Sequence, residues 1–214
     1  MKLSTALLIA LGLGLVQSTA SANLLSNPGF EDPVTSDGPP FVGSWEAFTS
    51  GPFAVSRNSI LMPRTGLQSL ELGIDNQINS FAGVFQDVLG LTAGEVVNYS
   101  GWHLSSLESG GIEIRIEWRD SVADVEIART PNFVPLPGSS YEIFNLNAAV
   151  PLGADTARVV YAIQSFTGAI NQLVYLDDFS LTTEAVETPE PATLGLLALG
   201  GMMILFTRRR RRPA

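Results

Sequence analysis

Residues 111–120 read GIEIRIEWRD. Ile112, Ile114, Ile116 and Trp118 occupy one phase of this stretch, and Glu113, Arg115, Glu117 and Arg119 the other. Successive side chains of a strand point to opposite faces, so the alternation predicts an antiparallel strand with one face in a core and one in water. The same period of two recurs on both sides, at Ser69–Ile74, Phe81–Val88, Val96–Leu104, Tyr141–Val150, Ala157–Gln164 and Val174–Leu181. Turn formers separate these runs: SDGPP at 36–40, LTAGE at 91–95, LPGSS at 136–140 and PLGAD at 151–155. No window of a dozen residues in this part carries a helical stripe. Short strands at this spacing, over roughly 165 residues, predict an all-β fold, a two-sheet jelly-roll β-sandwich.

Outward from the strands, the composition changes at both ends. Lys2, the uncharged run Leu3–Val16 and the small residues Ala20-Ser21-Ala22 have the layout of a cleaved secretory signal. As a helix that run rises only ~21 Å, short for a permanent span. The expected signal peptide is 1–22, cut after Ala22 by signal peptidase, with Asn23 as the first mature residue. At the other end, 183–191 is an acidic, proline-containing linker, and Ala192–Thr207 is uncharged, about 24 Å long as a helix. Arg208, Arg209, Arg210, Arg211 and Arg212 follow it and act as a stop to transfer, leaving the tail 208–214 in the cytoplasm and the sandwich 23–182 outside. The predicted architecture is therefore a β-sandwich flanked by a signal helix and a transmembrane helix.

Charge and composition exclude several function classes. The chain has 214 residues, a net charge of −9 and no cysteine, which removes thiol catalysis and cysteine-bound metals. Six of the twelve basic residues are Lys2 and the five terminal arginines, so the body carries about −14 and nucleic acid is not an expected partner. His103 is the only histidine, and no G-x-S-x-G elbow, P-loop or H-E-x-x-H motif is present. No catalytic residue is assigned; the acidic residues are numerous enough to form pairs by chance, and a carboxylate couple remains open on composition.

Four stretches in order, NLLSNPGFE at 23–31, RTGLQSLEL at 64–72, GVFQDVLGLTAGEVVNYSGW at 83–102 and VYLDDFSL at 174–181, resemble the landmarks of carbohydrate-binding-module jelly rolls of the galactose-binding-like type. First and last strands lie close in such folds, which would bring Glu31 toward Asp177 and Asp178, and three meeting carboxylates would repel without a cation. The resemblance implies a structural calcium held by Glu31, Gln68 through its carbonyl, and Asp177, with Asp178 beside them. The other reading is that these acids are solvated at strand ends. Sugar recognition of this kind uses exposed aromatics. Trp118 lies on the apolar phase of its strand, whereas Trp45, beside a loop, and Trp102, in a mixed strand, are groove candidates or core residues.

The C-terminal layout resembles the PEP-CTERM sorting signal: Pro189, Glu190, Pro191 and the small Ala192, then an apolar segment, then arginines. Thr188 stands where that signal commonly has valine. The resemblance implies a substrate of exosortase, a membrane protease of Gram-negative bacteria that make exopolysaccharide. It also implies a precursor anchored in the inner membrane and destined for the cell surface or extracellular matrix. Three functions stay open: a non-enzymatic surface or matrix protein associated with extracellular polysaccharide, a polysaccharide hydrolase, and a structural module without glycan affinity.

Overall fold

The computed structural model describes residues 21–107 and 110–184. The signal segment up to Ala20, the sorting motif Pro189–Ala192, the apolar segment and the arginine tail lie outside the described residues.

Among the described residues, ten strands form two antiparallel sheets. The first sheet runs in the order β1 (Glu46–Thr49), β4 (Phe81–Leu89), β9 (Thr156–Gln164), β6 (Ile112–Asp120), β7 (Val125–Arg129). The second runs β2 (Ala54–Ser59), β3 (Ser69–Ile74), β10 (Gln172–Thr183), β5 (Val96–Ser105), β8 (Glu142–Ala149). No helix occurs among the described residues. The all-β two-sheet sandwich expected from the alternation is the fold observed.

GIEIRIEWRD forms β6, near the centre of the first sheet, with Ile112, Ile114 and Ile116 fully buried and Trp118 3 % exposed. The apolar phases of the two sheets meet in one core. Phe179 sits at its aromatic centre, with ring centroids 5.1 Å from Phe30, 5.2 Å from Phe144 and 5.6 Å from Trp45. Each such side chain contributes about 1.5–3 kcal/mol on burial, so this cluster anchors both sheets. His103 on β5 is buried, and its Nδ1 lies 2.8 Å from Tyr161 Oη on β9, a polar link between the two sheets.

Three strands lack the signal that identified the others. β7 is exposed throughout and has no inward phase. β2 (AVSRNS) and β1 (EAFT) are short and flanked by glycine, serine and proline. Tertiary pairing with the fully buried β3 and the nine-residue β4 creates them.

Residues 23 and 24 are tied to the last strand. Leu24 N–H donates to the Leu181 carbonyl at 2.8 Å, and the Asn23 side chain bonds both Phe179 O and Leu181 N–H. In β10 the pairing with β5 gains one residue between Asp177 and Ser180, and Asp178 adopts φ 48°. This bulge turns Asp177 and Asp178 together toward the 64–68 turn while Phe179 stays in the core.

Candidate saccharide-binding face and the strand-end clamp

The outward phase of the first sheet carries three rows of side chains fixed by strand register. One row is Phe48, Gly83, Ala162, Glu113; the next is Glu46, Phe85, Val160, Arg115; the third is Asp87, Arg158, Glu117, Arg129. The β1–β4 side is aromatic. Phe85 lies 6.2 Å from Phe48 and 5.2 Å edge-on from Phe41, and Phe48 lies 6.2 Å from Phe81. Gly83 is required under this patch: a Cβ there would sit 2.3 Å from Phe48 Cζ. The floor in the middle, Val160 and Ala162, is low and apolar.

The β6–β7 side is ionic. Arg115 Nε donates to Glu117 at 2.8 Å, and Arg129 pairs with Glu126 through two bonds of 2.6 Å. Arg158 bridges the halves: two 2.7 Å bonds hold it to Asp87, while its guanidinium lies 4.1 Å above the Phe85 ring and 5.3 Å from Phe41. Half-buried phenylalanines beside immobilised donors and acceptors offer a ring face for an apolar sugar surface and polar groups for its hydroxyls.

This face escaped the sequence reading, which looked for tryptophan. Trp45 is fully buried, ringed by Phe30 and Phe179, and its Nε1 donates to the Asn27 carbonyl at 2.9 Å. It lines no groove, because the strand turns it into the core beside the chain start. Trp102 does point outward and is half-buried, but on the second sheet. A sequence signal for this aromatic face existed: in GVFQDV, Val84 and Val88 take the inward phase, leaving Phe85 an aromatic on the outward one.

Glu31, Asp177 and Asp178 each bind the 64–68 turn. Glu31 Oε1 accepts the amides of Leu67 and Gln68 at 2.9 and 3.2 Å, and the Gln68 side chain donates to the Glu31 carbonyl at 2.8 Å. Asp177 accepts three amides, from Arg64, Thr65 and Asp178, at 2.7–3.1 Å. Burial pushes its carboxyl up in pKa, and those three donors pull against the shift. Asp178 takes the Thr65 hydroxyl at 2.6 Å and the Arg64 guanidinium at 2.5 Å. That guanidinium in turn lies 3.7 Å over Trp102. Gly66, at φ +63°, lets the turn close; a Cβ there would fall 2.0 Å from Glu31 Oε1.

Calcium requires six or more oxygen ligands converging on one point. Here the carboxylate oxygens point at N–H and O–H donors, the amide and side chain of Gln68 donate to Glu31, and no three acidic or histidine side chains gather at metal-binding range among the described residues. Glu31, Gln68, Asp177 and Asp178 as arranged do not fit a calcium cage; Arg64 and backbone amides supply the positive partners.

Among curated proteins no sequence matches the chain. Solved structures share the fold at low identity. The enzymatically active domain of the Bacteriophage CBA120 tailspike protein 4 aligns with a TM-score of 0.60 at 16 % identity, over 76 % of this chain but only 21 % of that one, so the chain spans about a fifth of its length. The CBM22-1 xylan-binding domain from Paenibacillus barcinonensis Xyn10C gives 0.53 at 17 % identity, covering 78 % of this chain and 97 % of that domain. The module TmCBM61, solved with β-1,4-galactotriose, gives 0.50 at 19 % identity, covering 77 % and 100 %. Residues 187–212 match the PEP-CTERM protein-sorting motif. The chain therefore carries a PEP-CTERM sorting motif behind a jelly-roll sandwich whose fold is similar to that of carbohydrate-binding modules.

Proposed function

We propose that the protein is an exported, non-catalytic surface or extracellular-matrix protein that binds polysaccharide on the outer face of its first sheet. Signal peptidase and exosortase process it, and the apolar segment 192–207 holds the precursor in the membrane until the tail is removed. The observation that carries the glycan reading is the single face on which Phe41, Phe48 and Phe85 adjoin the fixed Arg158–Asp87 pair and the Arg115–Glu117 pair. The similarity to modules named for xylan binding and solved with a galactotriose supports the same reading.

The hydrolase alternative has less support. A glycosidase needs one carboxyl free to give a proton and another free to act as base or nucleophile. Asp87, Glu113 and Glu117 on this face are each paired with an arginine. The test is affinity electrophoresis of the full chain through gels containing xylan or β-1,4-galactan, with a parallel reducing-end assay. Retardation that Phe85→Ala weakens, without reducing-end release, is the expected result. Release of reducing ends would favour the hydrolase, and free migration in both gels together with no binding to the organism's own exopolysaccharide would leave a structural module.

A further inference from the structure

The opposite face of the sandwich has a different chemistry. On the outward phase of β10, β5 and β8, strand register aligns Thr182, Asn98 and Asn147 in one row and Ser180, Ser100 and Asn145 in the next. Neighbours within a row are about 4.8 Å apart and the rows about 6.8 Å apart, so six uncharged polar side chains form a flat grid. Asn145 and Asn147 are exposed and the other four half-buried. Among the described residues, the side chains of all six make no hydrogen bond. The first sheet's outer face differs in this respect, since its charged groups are nearly all committed to one another. In the next row the buried Asp177 lies opposite Trp102 and Trp102 opposite Ile143, with Arg64 stacked on Trp102.

We propose that this grid is a second saccharide-contacting surface and that it takes an uncharged, hydroxyl-rich polysaccharide chain. Each amide and hydroxyl on it both donates and accepts, which matches sugar hydroxyls, groups that do the same. The grid has no acidic or basic side chain although the body carries about −14, so it offers nothing to a polyanion or a polycation. Trp102 and Ile143 supply an apolar edge for the sugar C–H surface. The two sheets are stacked about 10 Å apart with their outer faces directed oppositely, so no single straight stretch of saccharide reaches both, and two chains, or two distant segments of one, are needed to fill them. One domain thereby ties two polysaccharide chains, or two segments of one, together. This step rests on the reading of the protein as a glycan binder.

The test uses the full chain in a detergent without a sugar headgroup, with soluble xylan and β-1,4-galactan as probes. It compares wild type, the grid variant Asn98→Ala/Asn145→Ala/Asn147→Ala, and Phe85→Ala on the other face. Binding is read by affinity electrophoresis, cross-linking of the polysaccharide by light scattering, and folding of each variant by its melting temperature. Wild type is expected to cluster the polysaccharide. The grid variant should stay bound through the first sheet but cluster about tenfold less, because three amide contacts are gone. Equal clustering by wild type and grid variant, or clustering that tracks self-association of the protein in the absence of glycan, overturns the second surface and leaves the first intact. Binding lost in the grid variant but kept in Phe85→Ala supports the grid and overturns the first face. No binding by any form overturns both.

Discussion

Acidification acts on the interior of the sandwich through His103. Its side chain is 2 % exposed, hydrogen-bonded to Tyr161 across the two sheets, with its ring centroid 5.4 Å from that of Phe144. Burial lowers its pKa from 6.5 to about 4. The fold therefore accepts neutral imidazole, and the unfolded chain binds the proton more readily. Stability from this group is complete above the unfolded value and is lost as pH falls from about 6.5 toward 4. At 1.36 kcal/mol per unit, the loss between pH 7 and pH 4 is about 3 kcal/mol. For a domain of this size that corresponds to a drop in melting temperature of roughly 6–12 °C. The twenty carboxylates of the body also respond to acid, so the control is His103→Gln, which keeps a polar group near Tyr161 and cannot titrate. Thermal unfolding of both proteins at about pH 7, 5.5 and 4, followed by circular dichroism, should show the smaller drop in the variant by that margin. An identical drop in both would refute the assignment.

The remaining predictions concern the strand-end clamp and the tail. Gly66→Ala forces a side chain into φ +63° and against Glu31, and is expected to lower stability by about 1–3 kcal/mol in denaturant titration. Calcium or a chelator should leave the melting temperature unchanged, because the acids already have donors, whereas Arg64→Ala should lower stability by about 1 kcal/mol. A rise in melting temperature with calcium would overturn the clamp as described. Glu190→Ala should leave the protein membrane-retained and unprocessed, measured by the mass and location of the mature chain; unchanged processing would remove the sorting assignment.

What was legible in the sequence followed from alternation. Ile112 to Arg119 fix a face because each residue type repeats at the strand period, and the other long strands do likewise. β7 was not legible, since Val125–Arg129 is exposed on both faces and its alternation records no core. The acids at 31 and 177–178 reach one turn, 64–68, because the strandless segment 23–31 is tied to β10 through Asn23, Leu24 and the Pro28 carbonyl; that neighbourhood was legible in the order of the motifs. Their partner was not, because Arg64 meets Asp178 across 114 positions and nothing local marks a guanidinium as a stand-in for a cation. Trp45 misled because its neighbours Gly43 and Ser44 read as a loop; the ring is pulled inward by Phe30 and Phe179, distant in sequence. The phenylalanine face needed β1, a strand of four residues, to place Phe48 beside Phe85.

The central claim, that the first sheet's outer face holds a glycan, is tested most directly by two-dimensional NMR of the full chain titrated with xylan- and galactan-derived oligosaccharides. Saturable shifts at Phe48, Phe85, Arg115, Arg158 and their strand neighbours are predicted, and the shifts at this face should vanish in Phe85→Ala. Shifts that leave these residues untouched while saturating elsewhere on the sandwich would contradict it.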